Sequence, residues 1–238
     1  MKTHTLIMAV KLFGLNIIML FQLLILKQPD NLLVTHTFNH SLLPYSAVKR
    51  DTTFILKKVT PNFYHSIYIE KNKKSPYYTE LFNFNLSEEE NESINSDYKN
   101  SKSKFKKRIL FNIQQEWLLL YKYKNKYYLY SPSDWGNVGR KIIADSGLIE
   151  WSIEGPVLAK LVEVKKINER KFILMVQDPS LLKTKIVIYI IDRSRKIAVW
   201  KYIRKNKVTE YRLCVAREEA ANFDLIVNHC NNMKQPEF

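Results

Sequence analysis

Short apolar and aromatic segments, separated by turn residues, follow one another through the second half of the chain. They are rich in the β-branched and aromatic residues that strands favour. Their spacing of about 8–12 residues, with no helical pattern between them, predicts an antiparallel meander or a sandwich-like domain over residues 109–238. The predicted strands are Ile109–Gln114, Trp117–Tyr123, Lys126–Tyr130, Val157–Lys166, Lys171–Asp178, Lys185–Asp192, Ile197–Ile203 and Val208–Val215.

A smaller β-rich segment is predicted upstream, over residues 51–86. Its strand-like parts are Thr52–Val59, His65–Glu70 and Tyr77–Asn85. Residues 87–108 then change character, because acidic residues cluster in the first half of this stretch and basic residues in the second half. Such charge segregation in a polar stretch predicts a linker or an exposed loop.

Both ends of the chain carry a helical pattern. In Arg217–Met233 the apolar residues fall on one stripe at helical spacing, which predicts a C-terminal helix that packs on the sheet. At the N-terminus, Met1–Leu26 combines basic residues with a long apolar run. The whole chain is therefore predicted to be mainly β in an α+β arrangement, with an N-terminal apolar helix and one packing helix at the C-terminus.

The apolar N-terminus suggests transport to or through a membrane. Residues 1–30 are interpreted as a signal peptide or a membrane anchor, and residues 31–50 as a spacer. As a cleaved signal, the segment predicts a secreted or periplasmic protein. As an uncleaved helix, residues 5–26 are long enough to span a bilayer and would anchor the protein in it.

The chain is strongly basic, with a formal net charge of +15 and a pI of about 9.6. This charge is typical of proteins that bind nucleic acid or anionic membranes. It also fits a solvated surface shaped by the codons of an AT-rich genome, since Lys, Asn, Ile and Tyr are all frequent. The candidate residues for binding an anionic surface are Lys122, Lys124 and Lys126 on a Tyr/Lys strand, and Arg204, Lys205 and Lys207 in a turn.

No motif of a known catalytic, cofactor or metal site is found. The chain has no nucleophile elbow, P-loop, zincin or dinucleotide-binding pattern, and it contains only five glycines. His36 and His40 are four residues apart, but their surroundings are not helical and no third ligand is evident. We therefore predict no catalytic, cofactor or metal-binding residues.

The two cysteines, Cys214 and Cys230, leave two readings open. In an exported protein they could form a disulfide that joins the C-terminal helix to the sheet. Alternatively, both could be buried free thiols that serve as small apolar core residues.

The segment Ile191–Trp200, followed by Cys214, resembles a pattern of small, exported, uncharacterised bacterial β-proteins. In that pattern an apolar residue precedes Asp-Arg-x-x-Gly-x-Ala-x-aromatic, and Gly-x-Cys follows. Asp192, Arg193, Ala198, Trp200 and Cys214 match it, whereas Lys196 and Arg212 stand in place of the two glycines. The resemblance implies export and a β-hairpin, and no activity.

Taken together, the patterns predict an exported or membrane-tethered interaction protein of a bacterium, with a protein or envelope component as its partner. The alternative is a binder of nucleic acid or another anionic polymer or lipid through the basic turns and the Tyr/Lys strand. Recognition of a specific nucleic-acid sequence is not expected, because no groove-reading motif is found.

Overall fold

Fourteen strands and three short helices make up the part of the chain that the computed structural model describes, which is residues 47–49, 52–60, 63–100, 105–132 and 139–231. The strands are β1 (Ala47–Lys49), β2 (Thr52–Thr60), β3 (Phe63–Glu70), β4 (Glu116–Leu119), β5 (Tyr121–Tyr123), β6 (Lys126–Ser131), β7 (Lys141–Ile143), β8 (Gly147–Ser152), β9 (Gly155–Asn168), β10 (Lys171–Gln177), β11 (Lys183–Asp192), β12 (Ile197–Arg204), β13 (Lys207–Ala216) and β14 (Asp224–Asn231). The helices are α1 (Pro76–Leu81), α2 (Glu88–Asn100) and α3 (Arg217–Ala220).

Eight of these strands close into an antiparallel barrel in the order β10-β11-β12-β13-β4-β7-β8-β9. The run from β9 to β13 is a simple meander, in which each strand pairs with the next. Side chains alternate between the two faces of a strand, so the inward-facing positions fill the barrel with a close-packed core. Its largest apolar members include Trp117, Trp200, Leu161, Leu174 and Ile186, all of them fully buried.

The remaining strands form a six-stranded sheet in the order β1-β2-β3-β14-β6-β5. The β14–β6 pair is parallel and the other pairs are antiparallel. Because β14 lies between β3 and β6, the β-rich segment of residues 51–86 shares one sheet with strands from residues 109–238.

The predicted mainly-β class is confirmed, but the predicted C-terminal helix is wrong over most of its length. Only Arg217–Ala220 is helical, and Asp224–Asn231 is strand β14. The three consecutive residues Leu225, Ile226 and Val227 are fully buried, since β14 is a central strand covered on both faces. A strand buried on both faces lacks the alternation of a half-exposed strand, so its apolar run can be mistaken for the stripe of a helix.

Three further segments differ from their predictions. Ile109–Gln114 was expected to be a strand, yet it contains no strand and β4 begins only at Glu116. Tyr77–Asn85 was expected to be a strand, yet α1 begins at Pro76, a residue that fits the first turn of a helix. The expected loop of residues 87–108 contains helix α2. Its start is a capping box, in which Ser87 N–H donates to Glu90 Oε2 at 2.7 Å and Glu90 N–H donates to Ser87 Oγ at 3.1 Å.

The capping box gives a testable consequence for stability. Ser87→Ala should lower the free energy of unfolding by about 1 kcal/mol, because one N–H of the first helical turn loses its acceptor. Urea denaturation followed by circular dichroism would measure the change. Ser93→Ala, in the exposed middle of the same helix, is the control and should not destabilise the protein. Equal losses in both variants would contradict this role of Ser87.

Residues 1–46, which include the predicted signal or anchor and most of the predicted spacer, lie outside the described residues. Among the helices that are described, none is long and apolar enough to span a membrane.

Candidate anion-binding face

The outer face of β10–β13 carries lysine and tyrosine side chains among aliphatic ones. Phe172, Leu174 and Val176 point into the barrel core, so the residues between them on β10 point outward. The strand register aligns these outward positions into rows across the four strands. The rows are Lys171–Tyr189–Val199–Leu213, Ile173–Val187–Lys201–Tyr211 and Met175–Lys185–Ile203–Val208.

We call Lys171, Lys185, Lys201, Tyr189 and Tyr211 the basic face. Two of its lysines lie over the tyrosine directly opposite them in the register. Lys171 Nζ is 5.1 Å from the ring centre of Tyr189, and Lys201 Nζ is 5.5 Å from that of Tyr211. These are cation–π distances, and they hold both ammonium groups against the surface of the sheet.

No carboxylate among the described residues forms an ion pair with any of these three lysines. Lys185 and Lys201 are in adjacent strands and adjacent rows. The spacing between strands and the rise per residue therefore separate their Cα atoms by about 8 Å. The basic face therefore presents closely spaced positive charge that no described acidic side chain neutralises.

The basic residues predicted from the sequence lie in two separate places. Lys122, Lys124 and Lys126 belong to the β5–β6 hairpin at the edge of the six-stranded sheet. Arg204, Lys205 and Lys207 lie at the β12–β13 turn of the barrel. Both hairpin turns contain a Lys-Asn pair with positive φ, at 44° and 62° for residues 124 and 125 and at 47° and 60° for residues 205 and 206. This is the geometry of a tight two-residue hairpin.

The structure does not bring these two sets together. The Arg195 guanidinium lies 5.6 Å from the ring centre of Tyr127, so the β5–β6 hairpin is near the turn that precedes β12. The turn with Lys205 follows β12, about 26 Å away for a strand of this length at about 3.3 Å per residue. Arg204, Lys205 and Lys207 border the basic face at the β12–β13 turn, whereas β5 follows directly on Leu120, whose N–H donates to the carbonyl oxygen of Leu213 on β13 at 2.8 Å.

Sequence reasoning missed the lysines and tyrosines of the basic face. A signal was present, because Lys185, Val187 and Tyr189 alternate with the apolar residues Ile186 and Ile188. Alternation assigns these side chains to one side of their own strand. It does not give the pairing register that places them beside Lys171, Lys201 and Tyr211.

A second cluster of charged residues lies inside the barrel. Glu150 Oε1 accepts hydrogen bonds from Lys141 Nζ at 2.8 Å and from Tyr202 Oη at 2.5 Å. Arg212 Nη1 is 3.5 Å from the same oxygen, and Arg212 Nε donates to Glu210 Oε1 at 2.5 Å. With two cations and two anions the cluster is neutral, and the Lys141 side chain is fully buried. We therefore interpret the cluster as a structural ion network.

The network sets the charge of its carboxyl and phenol groups. Burial tends to raise the pKa of Glu150, but the charges of Lys141 and Arg212 together with the hydrogen bonds from Lys141 and Tyr202 bring it below its usual value. Burial and the Glu150 charge raise the pKa of Tyr202 well above that of free tyrosine. Glu150 is therefore ionised and Tyr202 neutral at physiological pH.

A lowered pKa of Glu150 makes stability depend on pH. The stabilising contribution is present above the unfolded pKa of about 4.3 and is lost as the pH falls through the lower folded pKa. Glu150→Gln should therefore lose less stability than the wild-type protein between about pH 5 and pH 3. Urea denaturation at several pH values measures this, since the acids outside the network contribute equally to both proteins. Parallel pH profiles would contradict the lowered pKa.

Cys214 is a free and fully buried cysteine in the barrel core. Burial raises the pKa of its thiol to about 12, so the reactive thiolate is not formed at neutral pH. The Cys230 side chain lies outside the described residues.

Titration of thiols in denatured, unreduced protein tests the predicted disulfide between Cys214 and Cys230. Two free thiols per chain would refute it.

Lys196 stands where the resembled pattern has its first glycine. It adopts a positive φ of 49°, a conformation that glycine adopts without strain.

No group of three or more potential metal ligands occurs within the described ranges, and His36 and His40 lie outside them. The chain matches no protein-family model, no curated protein sequence and no solved structure at a significant level.

Proposed function

We propose that this protein is an interaction protein, exported or tethered to a membrane, whose basic face binds an anionic lipid surface. The observation that carries the proposal is the set of three outward lysines without an acidic partner among the described residues. We propose that it acts by binding and not by catalysis, because the charged cluster inside the barrel is neutral and internally hydrogen-bonded.

The magnitudes support a membrane-surface role. A lysine near an anionic leaflet contributes about 1 kcal/mol, so three would contribute about 3 kcal/mol. Tyrosine favours the membrane interface, where its ring is apolar and its hydroxyl group stays hydrated. Tyr189 on the basic face is 36% exposed.

Exposed aliphatic residues favour a lipid surface over a nucleic acid. Ile191 and Val208, on β11 and β13, are each 44% exposed. Such side chains gain free energy by entering the interfacial layer of a membrane, whereas they gain little beside phosphates. The apolar N-terminal segment proposed as a signal or anchor would also bring the chain to a membrane.

The proposal is tested by partition of the full chain onto vesicles of anionic or zwitterionic lipid at several salt concentrations. Binding to zwitterionic vesicles measures the contribution of the apolar N-terminus to membrane binding, because its insertion needs no lipid charge. The excess binding to anionic vesicles should weaken as salt rises, since the Debye length falls to about 8 Å at 0.15 M. Equal binding to both vesicles would contradict the proposal, as would a clear preference for an oligonucleotide over anionic vesicles at 0.15 M salt.

A further inference from the structure

A groove with an apolar lining runs beside the basic face, on the outside of the barrel. Its volume is about 690 Å³, within the range of about 300–1,000 Å³ typical of small-molecule sites. We call it the lateral groove. Its apolar lining is Ile109, Phe111, Val162, Val164 and Met175, and its charged lining is Lys107, Arg108, Lys183 and Glu163.

The charged lining of the lateral groove is positive on balance. Its single carboxylate, Glu163, pairs with Lys165 at 2.9 Å. Arg108 Nε donates to the carbonyl oxygen of Leu161 at 3.4 Å, a neutral acceptor that leaves its charge unbalanced. Lys183 forms no ion pair with any described carboxylate. A ligand that fits this lining has an apolar body and an anionic end.

Phe111 lines the groove with an exposed side chain and an unfavourable backbone conformation. It has a φ of 51°, which is rare for a bulky residue, and it is 40% exposed. Its neighbour Ile109 is 73% exposed. The fold gains little from exposing two large apolar side chains in this way, whereas a bound apolar chain would cover them both.

The lateral groove is continuous with the basic face. Met175, in the groove, is directly opposite Lys185 in the β10–β11 register. Lys183, at the groove rim, is two residues before Lys185 on the same strand and points to the same side. An amphiphile with its chain in the groove would therefore place its head group beside Lys183 and Lys185.

We infer that the lateral groove binds one acyl chain of an anionic lipid drawn from the membrane, with the head group held by Lys183 and Lys185. This inference rests on the proposed function and deepens it, because it adds a single-lipid site to a general surface attraction. The inference of a single-lipid site is supported by the match between the groove, which has an apolar lining and a cationic rim, and an anionic amphiphile.

The test follows the methyl resonances of Met175 and Ile109 in the full chain during titration with dodecanoate below its critical micelle concentration. Two matched probes separate the parts of the ligand. Acetate has the head group without the chain, and dodecyltrimethylammonium has the chain with the opposite charge. We expect saturable shifts with dodecanoate and at least about tenfold weaker binding of both other probes, equivalent to about 1.4 kcal/mol.

Ile109→Asp should weaken dodecanoate binding by at least about tenfold, because it places a carboxylate against the chain and the head group. Ile153→Asp is the matched control, since Ile153 is 60% exposed and is not part of the groove lining. Both positions are exposed, so both variants should fold. Equal binding of dodecanoate and dodecyltrimethylammonium, unchanged Met175 and Ile109 resonances, or equal losses in the two variants would each overturn the inference.

The vesicle experiment distinguishes this failure from failure of the proposed function. Preference for anionic vesicles with no dodecanoate site would refute the lateral groove and leave the proposed function standing. A dodecanoate site without any preference for anionic vesicles would refute both the proposed function and the membrane as the source of the ligand.

Discussion

Replacing Glu150 with alanine is expected to lower the free energy of unfolding by about 3–5 kcal/mol. The Lys141 ammonium is fully buried and has its hydrogen bond to the Glu150 carboxylate at 2.8 Å. Without that carboxylate, a buried charge loses its counterion, and Tyr202 loses the acceptor of its hydroxyl proton. Urea denaturation at neutral pH measures the loss.

Glu163→Ala is the control for this prediction. Glu163 also pairs with a lysine on the barrel, but both side chains of its pair are about half exposed, at 45% and 55%. An exposed pair contributes only about 0–1 kcal/mol, so the two variants should differ clearly. A loss below about 1 kcal/mol for Glu150→Ala would show that the interior cluster is not a structural network.

The combined substitution of Lys171, Lys185 and Lys201 by glutamine is expected to weaken binding to anionic vesicles by about 150-fold. This figure follows from about 1 kcal/mol per lysine and about 1.4 kcal/mol per factor of ten. Glutamine keeps a polar side chain of similar length on the strands, so the fold should be retained and can be checked by circular dichroism. Sedimentation with vesicles at low salt measures the change.

The matched control removes the same amount of charge elsewhere. The triple substitution of Lys122, Lys124 and Lys126 by glutamine alters the hairpin of the six-stranded sheet, whose lysines are not part of the basic face. It should reduce binding much less than the substitution on the barrel. Equal reductions in the two triple variants would mean that net charge alone determines binding and would refute a localised face.

Much of the barrel was readable from the sequence because its strands are half exposed and follow one another in the meander. Alternation marks one strand at a time, as in Lys171–Gln177, where the burial pattern alternates residue by residue. Closure of the barrel was not predictable, because it depends on pairing of β4 with β13, which lies about a hundred residues later in the chain. Helix α2 could have been recognised from Ser87 and Glu90, which have the spacing of a capping box.

The candidate site was predictable only in its general character. The net charge of +15 drew attention to basic residues, but composition does not say which side chains share a surface. Lys122 and Lys205 were equally good candidates in the sequence, and they lie in different sheets. Lys171 and Lys201 belong to one face only through a register that links three strands.

Paramagnetic broadening by lipid nitroxides would test most directly whether the basic face lies on a membrane. The full chain, with labelled isoleucine methyl groups, would be bound to anionic bilayer discs that contain a nitroxide-bearing lipid. Ile173, Ile191 and Ile203 accompany the basic face on β10–β12, whereas Ile142 and Ile149 are on β7 and β8, across the barrel. We predict strong broadening of the first three resonances and little of the other two. Equal broadening of both groups, or stronger broadening of Ile142 and Ile149, would contradict the proposal.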